Sequence, residues 1–297
     1  MRVTQSMLSN NLLNNLSNSY KKMGTYQTQL STGSKINRPS DNPVVATKGM
    51  GYRTTLNQIA QYSSNINEAT NWLDTTDDAL GQIGDALTRV KELVTQASTD
   101  SVTSNDREKI LAEISQIKKQ IQDVSNTQIG DKYLFSGAKT STPLFNGDGT
   151  RNFDGADAPS FDKKVVMEIF DGVSIDVNST SAKMFGEIDD ELSNLEGVLG
   201  NNTSTSKDIN AYIAKLDNLQ DSVLGARADI GARQNRIEMM GDRIASQEII
   251  ATQQLSKNED VEYEEVITQY LTQQSLHNAA LSVGSSIIQP SLVDFIR

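Results

Sequence analysis

Apolar residues recur in alternating steps of three and four along the stretch from Ile59 to Ala97. Eleven of the twelve positions in this stripe are apolar or aromatic, and the residues between them are mostly Asn, Gln, Asp, Thr and Lys. Such a stripe is buried only when a long amphipathic helix packs against partner helices, so it predicts a helical bundle or coiled coil. The stripe consists of Ile59, Tyr62, Ile66, Ala69, Leu73, Thr76, Leu80, Ile83, Leu87, Val90, Val94 and Ala97.

Two further segments have the spacing needed to partner this helix. Residues 105 to 124 place four isoleucines and a valine on one seam, and Asn105 is the predicted N-cap of that helix. A second long ladder begins near Asp208, runs to Ala251 and matches the first in length. We predict an antiparallel αα-hairpin followed by a long returning helix.

Weaker helical patterns flank these long segments. Residues from about 4 to 31 and from 267 to 288 keep heptad spacing, but Gln, His and Gly interrupt their seams. Helices of this kind are marginal by themselves, so we expect partner helices to complete them. The apolar tail 287–297 either packs between neighbouring subunits or folds back on the N-terminal helix. The predicted assembly interface consists of Leu13, Leu16, Tyr20, Met23, Leu30, Ile267, Tyr270, Leu281, Ile288, Leu292, Phe295 and Ile296.

A connector with two prolines separates the first helical segment from the second. Gly33 ends the first helix, and Pro43 suits the first position of the next, with Asn42 or Asp41 as its N-cap. We expect a rigid elbow here. It is formed by Asn37, Arg38, Pro39, Ser40, Asp41 and Pro43.

Composition changes at residue 131, where phenylalanines and turn clusters replace the helical pattern. The Asp171-Gly172 pair between two β-prone runs predicts a hairpin, and a short helix is expected over 187–199. The predicted fold is therefore mainly α, a long-helix antiparallel bundle or coiled-coil rod with a small β-rich domain inserted at its tip. We predict three domains: 1–40 with 262–297 for polymerisation, 41–130 with 206–261 for the bundle, and 131–205 for the insert.

The composition narrows the possible functions. The 297 residues carry a net charge of −11, no cysteine and a single histidine. An acidic chain without a basic face argues against a nucleic-acid partner. The absence of cysteine and the single histidine exclude the usual nucleophile pairs and metal clusters. His277 lies on a helical seam and is assigned to a packing or interface role, and the acidic run 259–265 is assigned to a solvated face. We predict no enzyme activity, catalytic residue, cofactor, metal site, signal peptide or membrane span.

The elbow and its continuation through Ala46, together with the terminal helical segments, resemble the bacterial flagellin superfamily. Within it, the opening residues 1–4, the segment 130–140 and the ending 287–297 are similar to the subunits of the hook-filament junction. Filament flagellins usually close on a leucine-rich ending that is absent here. The elbow is shared across the superfamily, so only segments 130–140 and 287–297 distinguish the junction subunits from filament flagellins.

The resemblance implies a secreted, extracellular building block of the flagellum that serves motility and has no enzymatic role. It implies export in unfolded form through the flagellar type III export apparatus, with an export chaperone holding the C-terminal helix. It also implies a ring of copies of the chain between the first hook-associated protein and filament flagellin. Two alternatives remain open at this stage: filament flagellin itself, and an intracellular coiled-coil adaptor.

Overall fold

The computed structural model describes residues 5–99, 103–154, 158–178, 181–201 and 206–288. Seven helices and four short strands follow one another in these ranges, which confirms the predicted mainly α class. They are α1 (Gln5–Thr32), α2 (Pro43–Ala97), α3 (Ser104–Ser125), β1 (Gln128–Ile129), β2 (Lys132–Tyr133), α4 (Ala158–Phe161), β3 (Val166–Phe170), β4 (Val173–Asp176), α5 (Ala182–Gly200), α6 (Ser206–Glu259) and α7 (Tyr263–Ile288).

The chain folds into two compact units. The terminal unit consists of Met1–Gln58 and Gln247–Arg297, and the central unit consists of Ile59–Ser246. The long helices α2 and α6 each contribute residues to both units. The insert 131–205 lies within the central unit.

Four helices of the central unit pair in a closed order, α2 with α3, α3 with α5, α5 with α6, and α6 with α2. Eleven of the twelve predicted stripe positions of α2 are buried, and Tyr62 is half-buried. A seam of this length that is apolar apart from Thr76 drives the bundle together because water is excluded along the contact. Polar contacts at the four boundaries join Arg89 to Glu113, Lys118 to Ser193, Lys215 to Glu191, and Arg227 to Asp77.

The N-cap of α3 differs from the predicted one. Thr103 has an extended backbone and its hydroxyl accepts from the backbone N–H of Asp106, while Asn105 lies inside the helix. The Thr103 hydroxyl also donates to the Asp106 carboxylate. Asp106, three residues after Thr103, thus completes the cap. The two reciprocal hydrogen bonds favour Thr103 over Asn105 as the N-cap.

The insert has an aromatic core of its own. The rings of Phe135 and Phe185 meet edge to face at 4.9 Å, and Phe153 bridges Phe145 and Phe161. Helix α5 begins at Ala182, five residues before the predicted start, because Phe185 belongs to this core. The insert is therefore a packed structure and not a loose loop.

The hairpin β3–β4 packs on both long helices of the central unit. The Phe170 ring lies 5.9 Å from the ring of Tyr62 on α2 and 4.4 Å from the guanidinium of Arg243 on α6. At the other end of the hairpin, Arg233 donates to the carbonyl oxygens of Asp176 and Asn178 at 3.0 and 2.9 Å. The hairpin thus runs beside the helices, a placement that its position in the sequence did not predict.

Across the described ranges, no helix combines the length and the apolar character that crossing a membrane requires.

A candidate assembly surface on the terminal helices

Helices α1 and α7 pack antiparallel in the terminal unit, through a seam that is partly polar. Ser19 accepts a hydrogen bond of 2.7 Å from Gln273, and the Tyr20 ring lies 6.3 Å from the His277 ring. Near the chain ends, a Cβ on Gly284 would lie 2.7 Å from a methyl carbon of Leu12, so glycine permits the close approach there. Small and polar residues therefore hold this pair at close range with little apolar burial.

The register of this seam differs from the predicted one. The prediction placed Leu13 and Tyr20 on it, but these side chains are 58% and 70% exposed. At two positions the seam lies one residue earlier, because Ser19 can be buried when it is hydrogen-bonded and Leu12 fits over Gly284. The predicted Leu16, Met23 and Leu30 keep their places on it. The buried and half-buried seam positions of α1 are Leu12, Leu16, Ser19, Met23, Tyr26 and Leu30, and those of α7 are Val266, Tyr270, Gln273, His277, Ala280 and Gly284.

The predicted interface residues therefore divide into two groups. Four of them, Leu16, Met23, Leu30 and Tyr270, are half-buried between the helices. Four others, Leu13, Tyr20, Ile267 and Leu281, are exposed. Ile288 is the last residue of α7, and Leu292, Phe295 and Ile296 lie outside the described residues.

Sequence reasoning missed several exposed apolar residues of the same two helices. They belong to no heptad seam and form no single second stripe, because at 100° per residue Leu271 lies roughly 120–140° around α7 from Leu276 and Val283. Large apolar side chains that stay exposed on paired helices mark a surface for another protein chain. These residues are Met7, Leu271, Leu276 and Val283.

The connector after α1 pairs with the connector after α6. The backbone N–H of Lys35 donates to the carbonyl of Glu259 at 2.6 Å, and the N–H of Val261 donates to the carbonyl of Gly33 at 3.0 Å. Gly33 has a positive φ of 70°, which a side chain would oppose. These two hydrogen bonds tie the connector after α1 to the end of α6.

The elbow is held by Asp41. Its carboxylate accepts from the backbone N–H groups of Asn37 and Arg38 at 3.2 and 2.9 Å. Asn42, not Asp41, caps α2, since its side chain accepts from the N–H groups of Val44 and Val45. All six predicted elbow side chains are exposed, namely Asn37, Arg38, Pro39, Ser40, Asp41 and Pro43.

Glu259 corrects the assignment of residues 259–265 to a solvated face. It is only 8% exposed, and its carboxylate pairs with Arg53 at 2.5 Å. A Cβ on Gly49 would lie 1.9 Å from the same carboxylate, so the absence of a side chain at Gly49 makes room for it. The charge run alone gave no sign of this contact, which joins residues far apart in the chain.

Two family models match the chain. The bacterial flagellin N-terminal helical region matches residues 3–140, and the bacterial flagellin C-terminal helical region matches residues 213–296. The first covers α1, α2 and α3, and the second covers most of α6 and all of α7. The matched regions include both helices of the seam and both connectors.

Relatives and a solved structure resemble this chain over most of its length. Flagellar hook-associated protein 3 of Escherichia coli (strain K12) is 24% identical over 94% of this chain and 95% of that protein. The protein of the same name from Salmonella typhimurium is also 24% identical, over 100% of both chains. The crystal structure of Bacillus cereus FlgL shares the fold with a TM-score of 0.59 and 21% identity, covering 69% of this chain and 99% of that one.

Segments 130–140 and 287–297 indicated a resemblance to flagellar hook-associated protein 3, or FlgL. These relatives confirm that resemblance. The two helical-region models together account for most of the sequence. The chain belongs to the bacterial flagellin family.

Proposed function

We propose that this chain is a structural subunit of the bacterial flagellum that polymerises at the junction between the hook and the filament. The observation that carries the proposal is the set of apolar side chains left exposed on α1 and α7. A lone subunit gains nothing from exposing them, whereas neighbouring copies in a ring can bury them. The predicted interface residues Leu13, Tyr20, Ile267 and Leu281 belong to this surface.

The remaining expectations follow from the same assignment. The chain is exported through the flagellar type III apparatus with a chaperone on its C-terminal helix, and it functions outside the cell without enzymatic activity. Copies of the chain form the ring, the first hook-associated protein lies on the hook side, and flagellin lies on the filament side. Residues 1–40 and 262–297 act as the polymerisation domain, while the insert 131–205 completes the bundle with α5.

Filament flagellin is the alternative within the family. Support for the junction role comes from the segment 130–140 and from the hook-associated relatives, which this chain matches over nearly their full length. A filament subunit is made in far larger numbers than a junction ring needs. Quantifying the chain against flagellin in isolated flagella therefore separates the two roles.

A deletion of the coding gene in its own bacterium tests the proposal. We expect cells that carry hooks without filaments and release flagellin into the medium, because nothing connects the two structures. Complementation with the full chain restores filaments. Complementation with a chain truncated after Gly284 yields folded protein, measured by its unchanged bundle melting profile, but does not restore filaments.

Two outcomes would contradict the proposal. Normal filaments on the deletion strain would show that the chain has no junction role. Loss of both hooks and filaments would place its action earlier in assembly. A variant with Ser285→Ala, which leaves the chain length unchanged, is the control for the truncation.

A further inference from the structure

The terminal unit contains a groove with a basic lining. It lies between the second half of α1, the elbow and the start of α2, and has a volume of about 720 Å³. Lys21, Lys35 and Arg38 line it together with a single acidic residue, Asp41. The Asp41 carboxylate is already hydrogen-bonded to two backbone N–H groups. Within the described residues none of the three cations has an ion-pair partner, and three cations against one carboxylate give the groove a net positive charge.

The groove faces away from α7. Its α1 lining includes the half-buried Gln29 and four exposed residues, Lys21, Gly24, Thr25 and Thr28. At 100° per residue these exposed positions lie on the side of the helix opposite the seam positions Ser19, Met23 and Tyr26. Helix α7 of the same chain therefore cannot cover the groove while the α1–α7 pair is formed.

An acidic surface of the same unit has the complementary charge. Asp260, Glu262, Glu264 and Glu265 are exposed where α6 passes into α7, and in the part of the chain that the structure covers they form no ion pairs. Glu264 and Glu265 lie in the first turn of α7, where the helix dipole stabilises negative charge. We name this surface, residues 260–265, the acidic turn.

Acidic residues of the central unit fit the groove less well. Several of them are held in ion pairs by their own neighbours, as Asp189 is by Arg151 and Asp77 by Arg227. The terminal unit is nearly balanced, with nine basic and eight acidic residues, and the lining of the groove includes no residue of the acidic turn. This separation favours a contact between two copies of the unit.

We infer that the basic groove of one copy binds the acidic turn of the next copy. Two different surfaces meet in such a contact, so it is head to tail and continues from copy to copy until it closes into a ring or extends as a helix. Complementary charge guides the approach and sets the register, and the exposed apolar side chains of α1 and α7 supply burial. The inference rests on the proposed function and names the contact through which the copies assemble.

The chain lacks cysteine, so crosslinking has no native background. One strain expresses Arg38→Cys and Glu262→Cys as two separate chains, and a short bismaleimide reagent is added to isolated flagella and to concentrated purified protein. We expect a covalent dimer only when both chains are present. Its yield should be at least about tenfold above that of the matched control pair Lys22→Cys with Glu262→Cys, because Lys22 neighbours the groove without lining it.

Charge exchange provides the second measurement. Lys21→Glu should reduce the dimer yield at least about fivefold, and Glu264→Lys on the other chain should restore it. Glu248→Lys, an exposed charge outside the acidic turn, should not restore it. Rising salt should weaken the native contact and the exchanged contact alike.

Three results would overturn the inference. The first is a chain present in flagella that gives no dimer above the control. The second is an equal dimer yield with Glu238→Cys of the central unit in place of Glu262→Cys, which would assign the groove to another surface. The third is absence of the chain from flagella, which would overturn the proposed function and this inference with it.

Discussion

The carboxylate of Glu259 occupies space that exists only because residue 49 has no side chain. A substitution at this position tests whether the contact matters, and α2 offers a neighbouring control at Gly51, where an added Cβ meets nothing within 4 Å. Both positions lie on the same helix, so any general effect of Ala on helix formation is shared. Comparing the two substitutions separates the effect of the Glu259 contact from that general effect.

We expect Gly49→Ala to destabilise the terminal unit by about 1–3 kcal/mol, because the new Cβ must displace a paired, buried carboxylate. Gly51→Ala should stabilise it by about 0.5–1 kcal/mol, since Ala is the better helix former. Thermal melts give the two signs, and hydrogen exchange at the amides of Lys35 and Val261 locates the change. A stabilising Gly49→Ala would mean that Glu259 leaves its site without cost.

Asp77 and Arg227 form a bidentate pair between α2 and α6. The hydrogen bond from Arg227 holds the pKa of Asp77 below its ordinary value of 3.8. A lowered pKa in the folded state means that the pair stabilises the fold at neutral pH and that this contribution is lost as the pH falls below about 4. Both side chains are partly exposed, so the effect is modest.

Asp77→Asn should therefore lower stability at pH 7 and lower it by less at pH 3, which reduces the acid sensitivity of the protein. Urea unfolding midpoints at the two pH values measure the difference. Asp78→Asn removes the same charge from a residue that does not contact Arg227 and serves as the control. Equal acid sensitivity of native protein and Asp77→Asn would contradict the assigned role of the pair.

The helices differ in how well their seams are packed. The α2 seam is buried and apolar apart from Thr76, whereas the α1–α7 seam contains Ser19, Gln273, His277 and Gly284. The Nδ1 atom of His277 is buried there and has no hydrogen-bond partner within the described chain. A buried polar atom without a partner costs free energy, so this pair is the weaker one.

We expect amide hydrogen exchange in the isolated monomer to be faster in α1 and α7 than in residues 59–97 of α2. Replacing the unsatisfied imidazole with an apolar side chain, as in His277→Leu, should slow exchange in both terminal helices. His277→Asn keeps a polar group at the site and is the comparison. Protection of α1 equal to that of α2 would refute the ranking of the two seams.

Leu80 and Leu224 test the burial pattern of the long helices directly. Leu80 on α2 is fully buried, and Leu224 on α6 is 59% exposed. Leu80→Asp places an unpaired charge in the core, at a cost of several kcal/mol that approaches the whole stability of a domain. Leu224→Asp should leave the helical circular dichroism and the melting temperature nearly unchanged.

The insert contributes more to the packing of the central unit than its position in the sequence suggests. Helix α5 packs along α3, where Lys118 donates to Ser193 at 2.7 Å and Gln122 donates to Asp189 at 2.8 Å. Asp189 is also held by Arg151. The insert therefore provides the fourth helix of the bundle, in addition to the hairpin beside α2 and α6.

Removal of residues 141–204, with a Gly/Ser linker in their place, should lower the melting temperature of the bundle markedly because the seam of α3 loses its cover. Removal of the hairpin alone, residues 164–178, should have a smaller effect since α5 remains. Circular dichroism melts of the two deletions give the order. A larger loss from the hairpin deletion would reverse our account of what holds the unit together.

The sequence by itself determined the long helices, the buried face of α2 and the hairpin. The α2 stripe and the Asp171-Gly172 turn, in which Gly172 has a φ of 69°, were predictable because side-chain period and turn chemistry are local properties. The family resemblance was predictable for the same reason, since it rests on short continuous segments.

Only the tertiary structure decided the register of α1 on α7, the burial of Glu259 and the placement of the hairpin on Tyr62 and Arg243. Each of these depends on residues far apart in the chain, and each reverses or extends what the local pattern favours. The heptad favoured Leu13 and Tyr20 as seam residues because they are large and apolar. The hydrogen bond of Ser19 and the close approach of Leu12 to Gly284 placed the neighbouring residues on the seam instead. Leu13 and Tyr20 therefore stay exposed on the surface proposed for assembly.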